Sequence, residues 1–499
     1  ELKRLASAES NLTDQEKRRI IDDALRLKAD QEAKQDLSVL PTLELTDIPM
    51  KFEDVPSRDV HDHQALVEFY PQPTNGVTYL DIRADFADLS AEEKELLPVF
   101  ARALTQSAAA GQDYAAIATR IASHTGGVAA AAQVQSLAAR DDYIESFVLS
   151  GKALDRNAEP FVDLLADLVA RLEVEPKRLK EIIAEVATRL ESSLAGLGFQ
   201  FALLRAHSKI SAEGALNDRL QGIGMLHTMR RLSKLNEDEL RPVIDQLNRL
   251  RLRLFRRDGL RIIVTCEESM IGRLEELLAG LTKALPDRNP KAARAEPQEP
   301  SHADRAPEAR TAPVPVAFNI RFFKTVRYTH DDAPALLVLA NYLRDTFLHR
   351  ELREKGGAYG GFASAGVLSG TFYFGSYRDP NIVRTYEVFD DATKWVTEGE
   401  IEPEALKEAI LGACGDVDPL ESPDIKGRRE ATNRATGLTR EARERFKQRL
   451  LKVTADDLRR VTRDHLMGVR AVQTTVAGPD LLESARREKP DLFEVVGPL

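Results

Sequence analysis

The sequence predicts an α+β fold of two homologous domains, each a mainly antiparallel sheet with helices packed on one face, plus an N-terminal helical segment. Three observations carry this prediction. Strand-type alternation and helix-type periodicity follow one another in the same order twice along the chain. In each copy a Gly-Gly turn lies between an early helix and a strand pair. A Pro-rich stretch separates the copies. They differ in length and share little sequence, so the repeat is one of pattern.

Composition sets the outer bounds. The chain has 499 residues, which at roughly 150 residues per domain suggests about three domains. It is 43% apolar and 30% charged, an ordinary globular composition. Seventy Lys and Arg stand against 80 Asp and Glu, a net charge of −10 that argues against general nucleic-acid binding. Two cysteines, Cys266 and Cys414, exclude a disulfide scaffold or a Cys-built zinc site and fit a reducing compartment. No run approaches 18 consecutive apolar residues, so no membrane span is expected. The chain begins at Glu1 rather than Met, which we read as the mark of a processed or cut-out piece.

The elements follow in order. Residues 1–45 read as a helical hairpin or linker segment. Thr13 and Glu16 form a capping-box pattern that opens a helix to about Ala33. Ile20, Ile21, Ala24, Leu25 and Leu27 supply its apolar stripe. Pro41 and Pro49 break the pattern. The first α+β domain is placed at 46–285. Its clearest strand has Leu80, Ile82, Ala84 and Phe86 on one face and Tyr79, Asp81, Arg83 and Asp85 on the other. Ser90 and Glu93 cap a helix to about Ala108. Gly126-Gly127 precedes strands through Val134 and Ile144–Leu149. Helices fill most of 158–256, and a strand at Leu260–Cys266 with a helix at Glu268–Leu285 closes the domain.

Residues 286–315 hold seven Pro and no Gly and read as an extended linker. The second α+β domain is placed at 316–499, its first strand beginning near Val314. A helix at about Asp332–His349 leads into KGGAYGG, Lys355–Gly361. A hairpin follows at Ala363–Val367 and Thr371–Tyr377. Asp379-Pro380 reads as an N-cap and N1 pair for a helix to about Glu398. Helices over 402–467, a strand at Val469–Val476 and a short helix from Asp480 complete the chain.

Most catalytic patterns are absent. Gly370–Ser376 lacks the lysine of a phosphate-binding loop. Ser369 and Ser376 lack the flanking glycines of a nucleophile elbow. There is no CxxC, and the nine His fall in neither HExxH nor HxxEH spacing. His61 and His63, with Glu68 nearby, would share a strand face, but a polar loop entering a strand explains them more simply. The run Ser376–Asn381 reads as helix initiation, and Asp416–Asp424 as a turn-rich acidic loop rather than a cation site. At the first Gly-Gly turn, His124 and Thr125 offer little. The second turn is the informative place. Four glycines bracket Ala358 and Tyr359, with Arg353 and Lys355 just before. An Arg and a Tyr flanking such a turn are both hydrogen-bond donors that could converge on a carbonyl oxygen. The plainer alternative is a helix-capping Arg and a half-buried strand Tyr.

REKGGAYGG (Arg353–Gly361) followed by GTFYFGSYRDPN (Gly370–Asn381) resembles the C-terminal half of presequence-protease-type metallopeptidases of the insulinase/pitrilysin family. Leu12–Pro49 resembles that family's hairpin linker and the start of its third domain. The resemblance implies that this chain is domains three and four of a four-domain clamshell closing around a peptide. It implies that Arg353 and Tyr359 are catalytic, hydrogen-bonding the scissile carbonyl and its developing oxyanion. It implies zinc as the cofactor of the full-length enzyme, held by an HxxEH motif in the absent N-terminal half, with neither metal ligands nor cofactor-binding residues in this chain.

The expected function is therefore the C-terminal half of a zinc metalloendopeptidase degrading unfolded peptides, inactive by itself. Its partners would be the N-terminal half, or a zinc-bearing partner subunit, and unfolded peptides, with no nucleic acid and no membrane. A separately encoded non-catalytic subunit and a scaffold that has lost the chemistry are the alternatives. The Arg- and Ala-rich composition points to a bacterial cytoplasm, with an organellar matrix as the other compartment.

Overall fold

The structure, a computed structural model, describes residues 12–32, 42–62, 65–286, 300–301 and 305–499. The chain divides into Glu1–Ile48 and Pro49–Leu499. In the first unit the expected helix spans Asp14–Glu32. Its capping box is present: Thr13 N donates to Glu16 Oε2 at 2.8 Å and Glu16 N to Thr13 Oγ1 at 3.3 Å. The second arm of a hairpin would fall largely on residues outside those described.

Pro49–Leu499 contains two six-stranded sheets. The first has β1 (Arg58–Asp62), β2 (Ala65–Pro71), β3 (Val77–Asp85), β5 (Val128–Ser136), β6 (Tyr143–Leu154) and β8 (Leu260–Cys266), in the order β1-β2-β8-β3-β6-β5. A minor ribbon pairs β4 (Ala108–Ala109) with β7 (Leu172–Glu173). The second sheet has β9 (Glu308–Thr311), β10 (Ala317–Lys324), β11 (Gly360–Gly366), β12 (Thr371–Asp379), β13 (Val472–Ala477) and β14 (Val495–Pro498), in the order β11-β12-β10-β13-β9-β14. Read from the hairpin edge, β11-β12-β10-β13-β9 matches β5-β6-β3-β8-β2. The parallel pair falls at the same place in both, β2 on β8 and β9 on β13, and most other pairs are antiparallel.

That match corrects the linker. The expected 286–315 stretch includes β9, which fills the position of β2 in the second sheet. Its sequence, Glu-Ala-Arg-Thr, is four residues long and half charged, so no strand signal stands out. Residues 287–299 and 302–304 lie outside those described. Two further boundaries move. The helix after β10 runs Ala333–Leu343 and continues as a π-helix over Arg344–Glu354. Asp379 does not cap a helix: it ends β12, and the next helix spans Val383–Glu398. Its carboxylate instead accepts from Asn381 N at 2.8 Å and Thr385 Oγ1 at 2.6 Å.

The alternation of β3 sorts as read: Leu80, Ile82, Ala84 and Phe86 are all 2% exposed or less, facing a core with Phe100, Phe147 and Phe255. The Ser90 capping box forms. The charged face of β3 is buried as well, because helix Pro423–Thr436 of the second domain lies across it. Reciprocally, helix Leu194–Ser208 of the first domain lies across β10 and β13. Each domain thus keeps its own helices on one face of its sheet and receives one helix from its neighbour on the other.

Candidate functional site

The second Gly-rich turn joins the π-helix to β11. Lys355 N bonds Arg350 O at 3.0 Å, the wide spacing that ends the π-helix, and Ala358 N turns back to Leu352 O at 2.9 Å. Gly357 sits at φ +78°, where a side chain would be strained. Its N–H reaches Arg353 O at 3.1 Å. Tyr359 N then bonds Tyr377 O at 3.1 Å, which starts the β11–β12 pairing. Asn381 pins the turn from behind, its Nδ2 donating to Gly356 O at 2.7 Å.

This geometry brings Arg353 and Tyr359 together. The guanidinium carbon lies 5.9 Å from the Tyr359 ring centroid, within cation–π range. Arg353 Nη1 is 3.3 Å from His349 Nε2. Tyr359 is 67% exposed, so its phenol faces solvent rather than the half-buried strand position of the plainer reading. Tyr359 also packs edge-on against Tyr377 at 5.9 Å, and Arg378 lies 5.5 Å from the Tyr377 ring. Arg378 holds a left-handed φ of +49°, an uncommon state for a non-Gly residue. Cations and aromatic rings therefore alternate along one side of the turn. Tyr377 and Arg378 were missed as members of this group. They lie in the Ser376–Asn381 run read as helix initiation, and only the strand pairing sets them beside Tyr359.

The other sequence candidates resolve into structure. His61 is on β1, and His63 lies outside the described residues. Glu68 is engaged by Arg261 at 2.6 Å and Arg434 at 3.2 Å. In the acidic run, Asp416 accepts from Asn341 Nδ2 at 3.0 Å, Asp418 pairs with Lys447 at 2.7 Å, and Glu421 pairs with Arg429 at 3.0 Å. Its carboxylates are thus taken by the protein's own donors. Cys266 and Cys414 are buried, and burial pushes the Cys266 thiol up to about 12, which leaves it unreactive. Among the described residues no three His, Cys, Asp or Glu side chains converge as a metal centre requires. The residues present do not fit the zinc that the resemblance implies, and no catalytic step is derived through it.

At the first Gly-Gly turn, Gly126 N bonds Lys152 O at 2.7 Å and Gly127 takes φ +118°. The backbone device is the same, but the helix before it ends in His124.

Residues 1–232 match the family described as associated with peptidases of M16 subfamily C, and residues 316–473 match the PreP C-terminal domain. The chain belongs to the M16 peptidase family, in its presequence-protease-like branch. This M16 chain is 30% identical over 482 residues to a protein named "Presequence protease, mitochondrial" from Yarrowia lipolytica, covering 94% of this chain and 47% of that one. A protein of the same name from Danio rerio is 28% identical, with 96% and 48% covered. The chain spans about half the length of these curated relatives. In fold it is similar to a protease from Helicobacter pylori, at TM-score 0.63 and 15% identity, with 85% of this chain and 100% of that one covered. It is similar also to a peptidase M16 inactive domain from Pseudomonas fluorescens, at TM-score 0.59 and 16% identity, with 85% and 98% covered. Among the described residues no helix is long and apolar enough to cross a membrane.

Proposed function

We propose that this chain is the C-terminal half of a metalloendopeptidase that degrades unfolded peptides in a closed chamber, contributing Arg353 and Tyr359 while zinc is bound by the N-terminal half. The observation that carries the reading is the pairing itself. Two donors six positions apart in sequence share one exposed side of a glycine turn, with guanidinium and ring 5.9 Å apart. The guanidinium is charged at every working pH, and the phenol donates one O–H. Both groups suit a carbonyl oxygen that gains negative charge as it is attacked. Donors fixed before the reaction stabilise such an oxyanion without reorganising, and more strongly once water is excluded. The turn is held by Asn381 and the strand pairing, so the donors are placed by backbone rather than by a mobile loop.

Joining this chain to a zinc-bearing N-terminal half tests the reading. Arg353→Ala and Tyr359→Phe are each expected to lower kcat by about 10²–10³, with far-UV circular dichroism unchanged because both side chains are exposed. Unchanged turnover in both variants sinks the assignment. A separately encoded subunit pairing with a zinc-bearing partner would use the same donors. An HxxEH segment fused in frame upstream would discriminate against it.

A further inference from the structure

Strand β11 begins at Gly360, one residue after Tyr359, and forms the outer edge of the second sheet. Its pairing with β12 is unbroken from Gly360↔Tyr377 to Gly366↔Thr371. An edge strand leaves every second residue's N–H and C=O without a ladder partner on its outer side. Natural proteins blunt such edges with charges, proline or bulges. The other edge of this sheet, β14, is four residues long and ends in Pro498, and the first sheet's β1 carries Arg58, Asp59 and Asp62. β11 has none of these devices: it reads Gly-Gly-Phe-Ala-Ser-Ala-Gly. β5 also carries small side chains, but His124 and Thr125 head it in place of an Arg/Tyr pair.

A groove of about 710 Å³ runs beside β11. Its near wall includes the consecutive residues Phe362, Ala363, Ser364 and Ala365. Neighbouring strand residues point to opposite faces, so a groove lined by all four follows the strand's edge rather than one face. The far wall is the segment from Asp416 to Arg443, and its carboxylates Asp416 and Glu421 already have partners.

From this geometry we propose that the open edge of β11 is a docking site for an extended segment of an unfolded peptide, added to the second sheet as a further strand. The proposal rests on the function proposed above and names how its substrate is held. Backbone pairing accepts any sequence that can extend, and the small β11 side chains leave room for the incoming strand. Its position, one residue from Tyr359, leads a docked peptide toward the donor pair.

The test titrates the 499-residue chain with a fluorescein-tagged Lys-Val-Thr-Val-Thr-Val-Lys peptide and follows anisotropy. Peptides N-methylated on one alternating set of residues are expected to bind on the order of tenfold more weakly, and those methylated on the other set unchanged, because only one set faces β11. Bound peptide is expected to slow amide hydrogen exchange across Gly360–Gly366. Ala365→Glu, which puts a charge on the edge, is expected to abolish binding while circular dichroism stays unchanged. Equal effects of both methylation patterns, or protection confined elsewhere, overturn the proposal. Protection of β11 that grows with chain concentration and without peptide also overturns it, since a second copy would then be the occupant. The readout is binding by this chain without turnover. Loss of phase dependence therefore sinks the docking site alone, and unchanged turnover in the Arg353 and Tyr359 variants sinks the donor role alone.

Discussion

Helix Leu194–Ser208 lies on the second sheet and helix Pro423–Thr436 lies on the first, each at a glycine where helix and sheet meet. A Cβ on Gly198 would stand 2.3 Å from the Phe318 ring, and one on Gly427 would stand 2.1 Å from Thr265 Oγ1. The chemistry around the two glycines differs. The first crossing is aromatic: Phe199 packs edge-on to Phe362, Tyr373 and Tyr377 at 5.6–6.4 Å. It has one ionic corner, where buried Glu308 on β9 takes Lys209 at 2.7 Å and Arg205 at 3.1 Å. The second crossing is ionic throughout. Asp81 pairs with Arg428 at 3.1 Å, Arg83 donates to Thr432 at 3.1 Å, and Arg434 spans Asp59 and Glu68 at 2.6 and 3.2 Å. One backbone device thus supports two kinds of joint. The aromatic joint backs the sheet that carries the donor pair, through Tyr377, which touches both Phe199 and Tyr359.

The largest effect expected on this comparison comes from Glu308. Glu308→Ala leaves Lys209 buried without its carboxylate and should cost about 3–5 kcal/mol in urea unfolding. A loss below about 1 kcal/mol would show that the aromatic contacts alone hold the joint. The same carboxyl gives a pH signature. Burial would raise it, but the hydrogen bond from Lys209 and the charges of Arg205 and Lys209 outweigh burial and hold it at about 2. A folded-state value below the unfolded one means that its stabilisation is present above the ordinary carboxylate range and is lost as pH falls toward 2. Tm curves of wild type and Glu308→Gln should therefore converge between about pH 5 and pH 2. Parallel curves would contradict the pairing.

Next come the glycines. Gly198→Ala should cost about 1–3 kcal/mol, since a rigid ring must move. Gly427→Ala should cost less, because Thr265 can rotate its hydroxyl away, and differential scanning calorimetry ranks the two. The reverse order would mean that the ionic joint is the less forgiving one. The smallest effect is expected at its rim, where Lys426 pairs with the exposed Glu53 at 2.5 Å. Lys426→Ala should change stability by less than about 1 kcal/mol, an effect that fades in high salt.

Several features were legible locally. The β3 alternation, the capping boxes at Thr13 and Ser90 and the strand Leu260–Cys266 each follow from short-range pattern, and the structure matches them. The twofold order of elements was legible for the same reason. β9 was not, because four residues with two charges look like linker until Lys209 and Arg205 satisfy Glu308. Nor was the burial of Asp81 and Arg83, whose partners stand some 350 residues away in sequence. At the candidate site, Arg353 and Tyr359 stood out by residue type and glycine density. Tyr377 and Arg378 did not, because only cross-strand pairing sets them beside the turn.

What the sequence determined by itself is whatever depends on neighbours a few positions away: periodicity, caps, the glycine turn and the two donors that flank it. What the tertiary structure decided is which charges are buried, which short segment becomes a strand and which sheet edge stays open. Those outcomes depend on partners distant in the chain, and the free energy of a charge or a strand edge is set by what covers it.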